Sequence, residues 1–277
     1  MDTIVAFAGE DAVGDVEPVL NVGDSRLMSR AELLAEKAGE KRAVDGLSLS
    51  EVSPSRRDFT MFVATNKQGI ALVPRLKRCD PETASEWPNV DLTALARACD
   101  DTEAAALAVC TARVYGGSID DLRRVSETVS AAVLRDDLCL HADQLYDARL
   151  HGADAVVLPA RRVPFDSLRE LAAVSSSLHM TPVIELERAE DLEPALRLAP
   201  APIGLRITAG DGFVDLPETL RVAREIPSQR TVLLLSEVRA LTDLSSLNGL
   251  IDAAVVGDAL LGTADPAATI EDFLANR

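Results

Sequence analysis

The chain has 277 residues, 47% of them hydrophobic and 3% aromatic, and a formal net charge of −17 at pH 7. This length and hydrophobic content suffice for one large core, whereas the charge argues against nucleic acid or an anionic membrane as a partner, because both attract basic surfaces. The sequence has no apolar run of about 18 residues, so we expect no transmembrane helix.

The first part of the chain, residues 1–66, predicts an arm and helices that pack on a following domain. Residues 1–28 show no clear periodicity, and residues 1–12 lack the features of a signal peptide. Ser29 followed by Glu32 resembles a capping box, which predicts a helix to about Val44. A loop and a short helical turn over residues 58–64 complete this part.

From residue 70 onward, a short apolar run, a polar loop and an amphipathic stretch recur eight times. Apolar runs that alternate with helices indicate parallel strands buried on both faces. Eight such units predict an α/β fold, a (β/α)8 TIM barrel, over residues 67–277, with functional groups at the C-terminal ends of its strands. The runs are 70–73, 104–110, 131–134, 155–158, 183–186, 203–207, 231–235 and 253–256.

Other motifs give little support for a cofactor or metal, and we expect neither. Cys139, His141 and Asp143 alternate across a loop and a helix start, where capping explains the polar residues better than a metal ion. Walker A, GxGxxG, GxSxG and HExxH motifs do not occur in the sequence. The four cysteines have no paired spacing, which favours a reducing, cytoplasmic location.

Residues 115–122 are similar to the motif F-x-G-S-x-x-D-L, and residues 144–155 are closely similar to the motif Q-[IV]-Y-E-A-R-x-x-G-A-D-A. With these motifs the chain resembles indole-3-glycerol-phosphate synthase, the barrel lyase of tryptophan biosynthesis. Five further blocks follow the family order at 71–78, 133–138, 184–186, 203–204 and 255–261. The resemblance implies a TIM barrel with an N-terminal helical extension. It also implies a reaction that closes an indole ring from an anthranilate-linked deoxyribulose phosphate, with loss of CO2 and water.

Carried over by position, three family residues are retained. They are Lys77 on the first strand, Glu185 on the fifth and Gly257 after the eighth. Asp258 follows Gly257, where the family also has an acidic residue. The resemblance therefore implies that Lys77 and Glu185 are catalytic candidates and that Gly257 and Asp258 lie at a phosphate-binding turn.

Other family positions are replaced. The strand-one glutamate is Arg75, and the strand-three lysine, the general acid, is Asp136. Arg206 stands at the strand-six asparagine, and Val238-Arg239 are aligned with the serine-glycine after strand seven.

Arg75 and Asp136 amount to a charge exchange, which we expect to form an ion pair across the mouth of the barrel. Arginine is a poor proton donor because it stays protonated. We expect Asp136→Ala to destabilise more than Asp137→Ala, because Asp137 is predicted to face outward. Arg206 either pairs with Glu185, which we favour, or binds an anion. Arg239 is either a solvated helix-start residue, which we favour, or part of an altered anion site.

Two functions follow from these substitutions. The first is a synthase-like barrel that has lost its activity and serves as a non-catalytic binding or interaction protein, with a phosphorylated small molecule or a protein as partner. The second is a divergent synthase, a carboxy-lyase acting on the family substrate or a related sugar phosphate. A different reaction on the same scaffold is a third alternative, because barrels host many chemistries.

Overall fold

A computed structural model of the chain describes residues 34–39, 52–64, 69–102, 104–198 and 200–276. Eight parallel strands close into a barrel in which each strand pairs with its neighbours in chain order and the last pairs with the first. All eight predicted apolar runs lie on these strands, so the predicted TIM barrel is confirmed. The strands are β1 (Ala71–Leu76), β2 (Ala106–Val109), β3 (Ala132–Leu138), β4 (Ala155–Pro159), β5 (Thr181–Leu186), β6 (Ile203–Leu205), β7 (Val232–Leu234) and β8 (Ala253–Val256).

Helices connect the strands on the outside of the barrel. Aspartate or serine side chains cap several of them by accepting backbone N–H groups, as Ser118 does from Asp121. Among the described helices, none has the length and hydrophobicity needed to cross a membrane. The α-helices after the strands are Leu92–Asp100, Ile119–Thr128, Ala142–Leu150, Phe165–Ser177, Leu192–Leu196, Leu216–Glu225, Asp258–Leu261 and Pro266–Ala275. The 3-10 helices are Arg113–Tyr115, Ala189–Asp191 and Leu241–Leu247.

A short helix before β1 closes the N-terminal end of the barrel. This helix, Phe59–Ala64, confirms the helical turn predicted over residues 58–64. The N–H of Met61 donates to Asp58 Oδ1 at 3.0 Å, so Asp58 caps the helix. Phe59 and Val63 are buried against the alanine-rich interior, which includes Ala71 of β1. The interior is therefore packed at this end.

A second helical segment, residues 34–39, lies at the opposite end, beside β3. Lys37 forms a buried salt bridge with Asp137, and Gln144 Nε2 donates to the Lys37 carbonyl at 2.8 Å. These residues lie within the predicted helix over 29–44, whose remaining residues, like the arm over 1–28, lie outside the described residues. The domain boundary at residue 66 stays a prediction.

Candidate functional site

The C-terminal mouth of the barrel is filled by charged side chains that bond to one another. Alternation along β1 points Arg75 into the barrel, above Ala71 and Val73. Arg75 Nε donates to Asp136 Oδ2 at 2.5 Å, and both residues are buried. The predicted Arg75–Asp136 ion pair is therefore present. Arg75 also donates from Nη1 to Glu237 Oε1 at 2.7 Å.

Arg206 extends the network to the other side of the mouth. Its Nη2 donates to Asp136 Oδ1 at 2.8 Å, so one carboxylate joins two guanidinium groups. Its Nε donates to Glu185 Oε2 at 2.5 Å, and Glu185 is fully buried. Arg75 and Arg206 both donate to the backbone carbonyl of Leu235. The pairing that we favoured for Arg206 and Glu185 is thus the observed one.

Lys77 lies at the centre of a carboxylate cluster. Its ammonium Nζ is 2.6 Å from carboxylate oxygens of Asp80, Glu237 and Asp258. Among the described residues, these three carboxylates form the one group whose oxygens are close enough to share a metal ion. The ammonium group stands between them, so the chain supplies its own cation at this position.

Glu237, which lies just after β7, was missed by the sequence analysis. Its Oε2 accepts the backbone N–H groups of Gly257 at 3.1 Å and of Asp258 at 3.0 Å. In barrels, the loops after the seventh and eighth strands commonly bind phosphate. Leu233 and Leu235 face the barrel interior, and Glu237 continues the same alternation. This pattern is the sequence signal that could have identified Glu237 as a mouth residue.

Val238 and Arg239, which were aligned with the family's serine-glycine, follow the buried residues Ser236 and Glu237 after β7. Val238 is buried in the hydrophobic core. Arg239 lies outside the mouth network, exposed, paired with Asp211 and stacked 4.1 Å from the Phe213 ring centroid.

Gly257 and Asp258 lie where the resemblance placed them, at the turn after β8. A Cβ on Gly257 would lie 2.6 Å from Glu237 Oε1 and 2.8 Å from Lys77 Cε, so a larger residue would displace the ends of both side chains. Asp258 Oδ2 accepts hydroxyl hydrogen bonds from Thr83 at 2.6 Å and Ser85 at 2.8 Å. Side chains that follow β1 therefore hold the turn that follows β8.

Asp137 is not the solvent-facing residue that the sequence suggested. It points away from the barrel axis, yet it is buried with Arg135 and Thr111. Its Oδ1 accepts from Arg135 Nε at 2.9 Å, and its Oδ2 accepts from Thr111 Oγ1 at 2.6 Å. The expectation was wrong because Lys37, from the segment before the barrel, also pairs with this carboxylate.

Burial and neighbouring charges shift the pKa values of Glu237 and Lys77 in opposite directions. Burial alone would raise the pKa of Glu237, but Lys77 and Arg75 outweigh it and lower that pKa to about 2. Burial would lower the pKa of Lys77, but Glu237 and Asp80 outweigh it and raise that pKa above its ordinary value. Burial raises the pKa of the Cys110 thiol, so it stays protonated. A general acid or base needs a pKa near the working pH, which these groups do not have.

The fold and the site define a class: a TIM barrel whose mouth is filled by its own ion pairs. The chain belongs to the indole-3-glycerol phosphate synthase family, because the family model with that description matches residues 25–273. It is 30% identical to the indole-3-glycerol phosphate synthase of Rhodopirellula baltica over 260 residues, covering 93% of this chain and 100% of the relative. It is 32% identical to the synthase of Mycobacterium avium over 237 residues, 82% of this chain and 86% of the relative.

Solved structures show the same fold at low sequence identity. The tryptophan synthase alpha subunit of Legionella pneumophila superposes with a TM-score of 0.57 and 14% identity, covering 80% of this chain and 100% of that one. The 3-hexulose-6-phosphate synthase of Salmonella typhimurium superposes with a TM-score of 0.59 and 13% identity, covering 75% of this chain and 99% of that one. These similarities concern the barrel alone.

Proposed function

We propose that this chain is a synthase-like barrel that has lost the ring-closing reaction and serves as a non-catalytic binding or interaction protein. One observation carries the proposal: five charged side chains bond to one another across the mouth where the family substrate would bind. They are Arg75, Asp136, Glu185, Arg206 and Glu237. A substrate would have to separate buried ion pairs, at a cost of several kcal/mol.

The remaining candidates for acid–base chemistry support the same proposal. The family's strand-three lysine is Asp136, which is bonded to two guanidinium groups. Lys77 is retained, but its raised pKa makes it a poor proton donor at neutral pH. The Glu185 carboxylate is 2.5 Å from Arg206 Nε, so it is already engaged in an ion pair.

A phosphorylated ligand would meet a further obstacle at Glu237. This carboxylate accepts from the backbone N–H groups of Gly257 and Asp258, and it would repel a phosphate. A phosphorylated small molecule is therefore a ligand only if it displaces Glu237, and a protein partner is the other occupant we propose. We also propose a location in the reducing cytoplasm, which the four free cysteines support.

A divergent synthase is the second candidate, and a specific observation favours it. Lys77, Glu185 and Gly257 are retained inside a chain about 30% identical to proteins named as synthases. Under this alternative, substrate binding would open the network and free Lys77 to act.

A turnover assay separates the two candidates. The purified chain is mixed with the anthranilate-linked deoxyribulose phosphate, and the indole product is followed by fluorescence, with the Mycobacterium avium relative as positive control. We expect a rate at least about 100-fold below that of the relative, the low end of what one acid–base group contributes. A rate like that of the relative, abolished by Lys77→Met, would establish the divergent synthase instead.

A further inference from the structure

A groove of about 800 Å³ lies at the N-terminal end of the barrel, opposite the filled mouth. Its walls come from residues 55–60 at the start of helix Phe59–Ala64, from the end of helix Phe165–Ser177 and from the starts of β5 and β6. Ala172, Ala173 and Pro200 supply accessible apolar surface. The volume lies within the range of small-molecule binding sites.

The groove is basic although the protein is acidic. Arg56, Arg57, Arg169 and His179 line it, and among its described lining residues Asp58 is the one carboxylate. Asp58 is engaged as a helix cap. A cluster of cations in a chain with 45 acidic and 28 basic residues favours an anionic ligand.

Two of the three arginines can reach a ligand. Arg57 is bound inward, 2.7 Å from Asp154 and 2.6 Å from Ser126 Oγ. Arg169 pairs with Asp166 at 3.2 Å, but both side chains are exposed, and such pairs exchange partners at little cost. Arg56 is exposed, and no ion pair ties it to another described residue. Arg56 and Arg169 are therefore the available guanidinium groups.

His179 provides a second, independent observation. It follows helix Phe165–Ser177 with φ of 56°, the left-handed region, and the N–H of Met180 donates back to the Ser175 carbonyl at 2.9 Å. Glycine is preferred at this position of a helix end, because other residues are strained there. The chain instead carries an exposed imidazole that lines the groove.

We propose that this groove binds a small organic anion, a carboxylate or phosphate carried on an apolar body. Arg56 and Arg169 contact the charged group, because guanidinium groups match the oxygens of either anion in a bidentate geometry. His179 donates a hydrogen bond to it, and Ala173 and Pro200 contact the apolar part. The site is at the other end of the barrel from the mouth, so it does not depend on the function proposed above.

Calorimetric titration of the full chain tests the site with four probes. Benzoate and phenyl phosphate carry both features, inorganic phosphate carries charge alone, and benzyl alcohol is the neutral analogue. We expect benzoate or phenyl phosphate to bind at least tenfold more tightly than inorganic phosphate and benzyl alcohol. Whichever of the two aromatic anions binds more tightly identifies the charged group of the ligand as a carboxylate or a phosphate. Arg56→Glu and Arg169→Glu should each weaken that binding at least tenfold. Equal binding of the aromatic anions and benzyl alcohol would overturn the proposal.

His179→Gly separates a binding role from a structural one. It should raise the melting temperature, since glycine relieves the strained φ, and weaken the aromatic anion severalfold. Ala84→Gly is the matched control, because Ala84 has φ of 58° in the turn that joins two short antiparallel strands, Cys79–Asp80 and Ser85–Glu86, after β1. It should raise the melting temperature and leave binding unchanged. Unaltered affinity in His179→Gly and in both arginine variants would exclude this groove as the anion site.

Discussion

Asp136 and Asp137 are adjacent on β3 and both buried, yet they belong to separate networks. Asp136 faces the barrel interior and joins Arg75 to Arg206. Asp137 faces the surrounding layer and pairs with Arg135 and Lys37. The period of two residues along a strand determines this division, and the surrounding elements determine how much each carboxylate contributes to stability.

We expect Asp137→Ala to destabilise at least as much as Asp136→Ala, the reverse of the order inferred from the sequence. Without Asp137, the buried Arg135 and Lys37 each lose their ion pair with this carboxylate, and breaking a buried pair costs about 3–5 kcal/mol. Without Asp136, Arg75 keeps Glu237 and Arg206 keeps Glu185. Urea denaturation of the two variants measures the order. A larger loss in Asp136→Ala would show that the mouth network is the more important of the two.

At the scale of elements, a buried ion pair joins the segment over residues 34–39 to β3. Lys37 is 1% exposed and pairs with Asp137, whereas its neighbour Glu36 lies 3.8 Å from an Arg113 side chain that is 88% exposed. Removing one partner of a buried ion pair lowers the stability of the fold far more than removing one partner of an exposed pair. Lys37 therefore connects the segment before the barrel to the end of β3.

Lys37→Met should increase amide hydrogen exchange in residues 34–39 at least tenfold. Exchange in helix Phe59–Ala64 should not change, because that helix packs at the opposite end of the barrel. Arg113→Ala is the control, since it removes only the exposed pair with Glu36. If both variants exchange at the wild-type rate, the segment is held by its apolar contacts instead.

At the scale of the whole molecule, the filled mouth makes stability depend on acidity. Glu237 has an ordinary pKa of 4.5 that the folded protein lowers to about 2. A lowered pKa stabilises the fold fully above the unfolded value, and this stabilisation is lost as the pH falls through the folded value. The free energy of unfolding should thus decline between about pH 4.5 and pH 2, with about 2–3 kcal/mol from this residue.

Glu237→Gln tests this dependence. The variant should be less stable than wild type at pH 7 and should lose less stability on acidification, because it has no carboxylate to protonate. Glu271→Gln, a change on the exposed surface of helix Pro266–Ala275, should follow the wild-type curve. Thermal unfolding at a series of pH values measures all three proteins. An unchanged acid slope in Glu237→Gln would assign the decline to other carboxylates.

Local sequence was enough to predict the barrel and part of its site. The eight apolar runs form the eight strands. A parallel strand is buried on both faces, so its sequence is a continuous apolar run that can be recognised without the structure. Arg75 and Asp136 could be paired in advance because strand periodicity and the family blocks placed both at the mouth. These inferences depend only on the pattern of residues within one strand and on the order of the family motifs along the chain.

Tertiary structure alone decided which charges meet and which are covered. Glu237 reaches Lys77 and the turn at Gly257 only because barrel closure brings the ends of β7, β8 and β1 together. Asp137 is buried because Lys37, from the helical segment before the barrel, lies against the end of β3. The basic groove likewise joins Arg56 to His179 across more than a hundred residues. Contacts between residues so far apart in the chain depend on the closed geometry of the whole barrel, which no local pattern encodes.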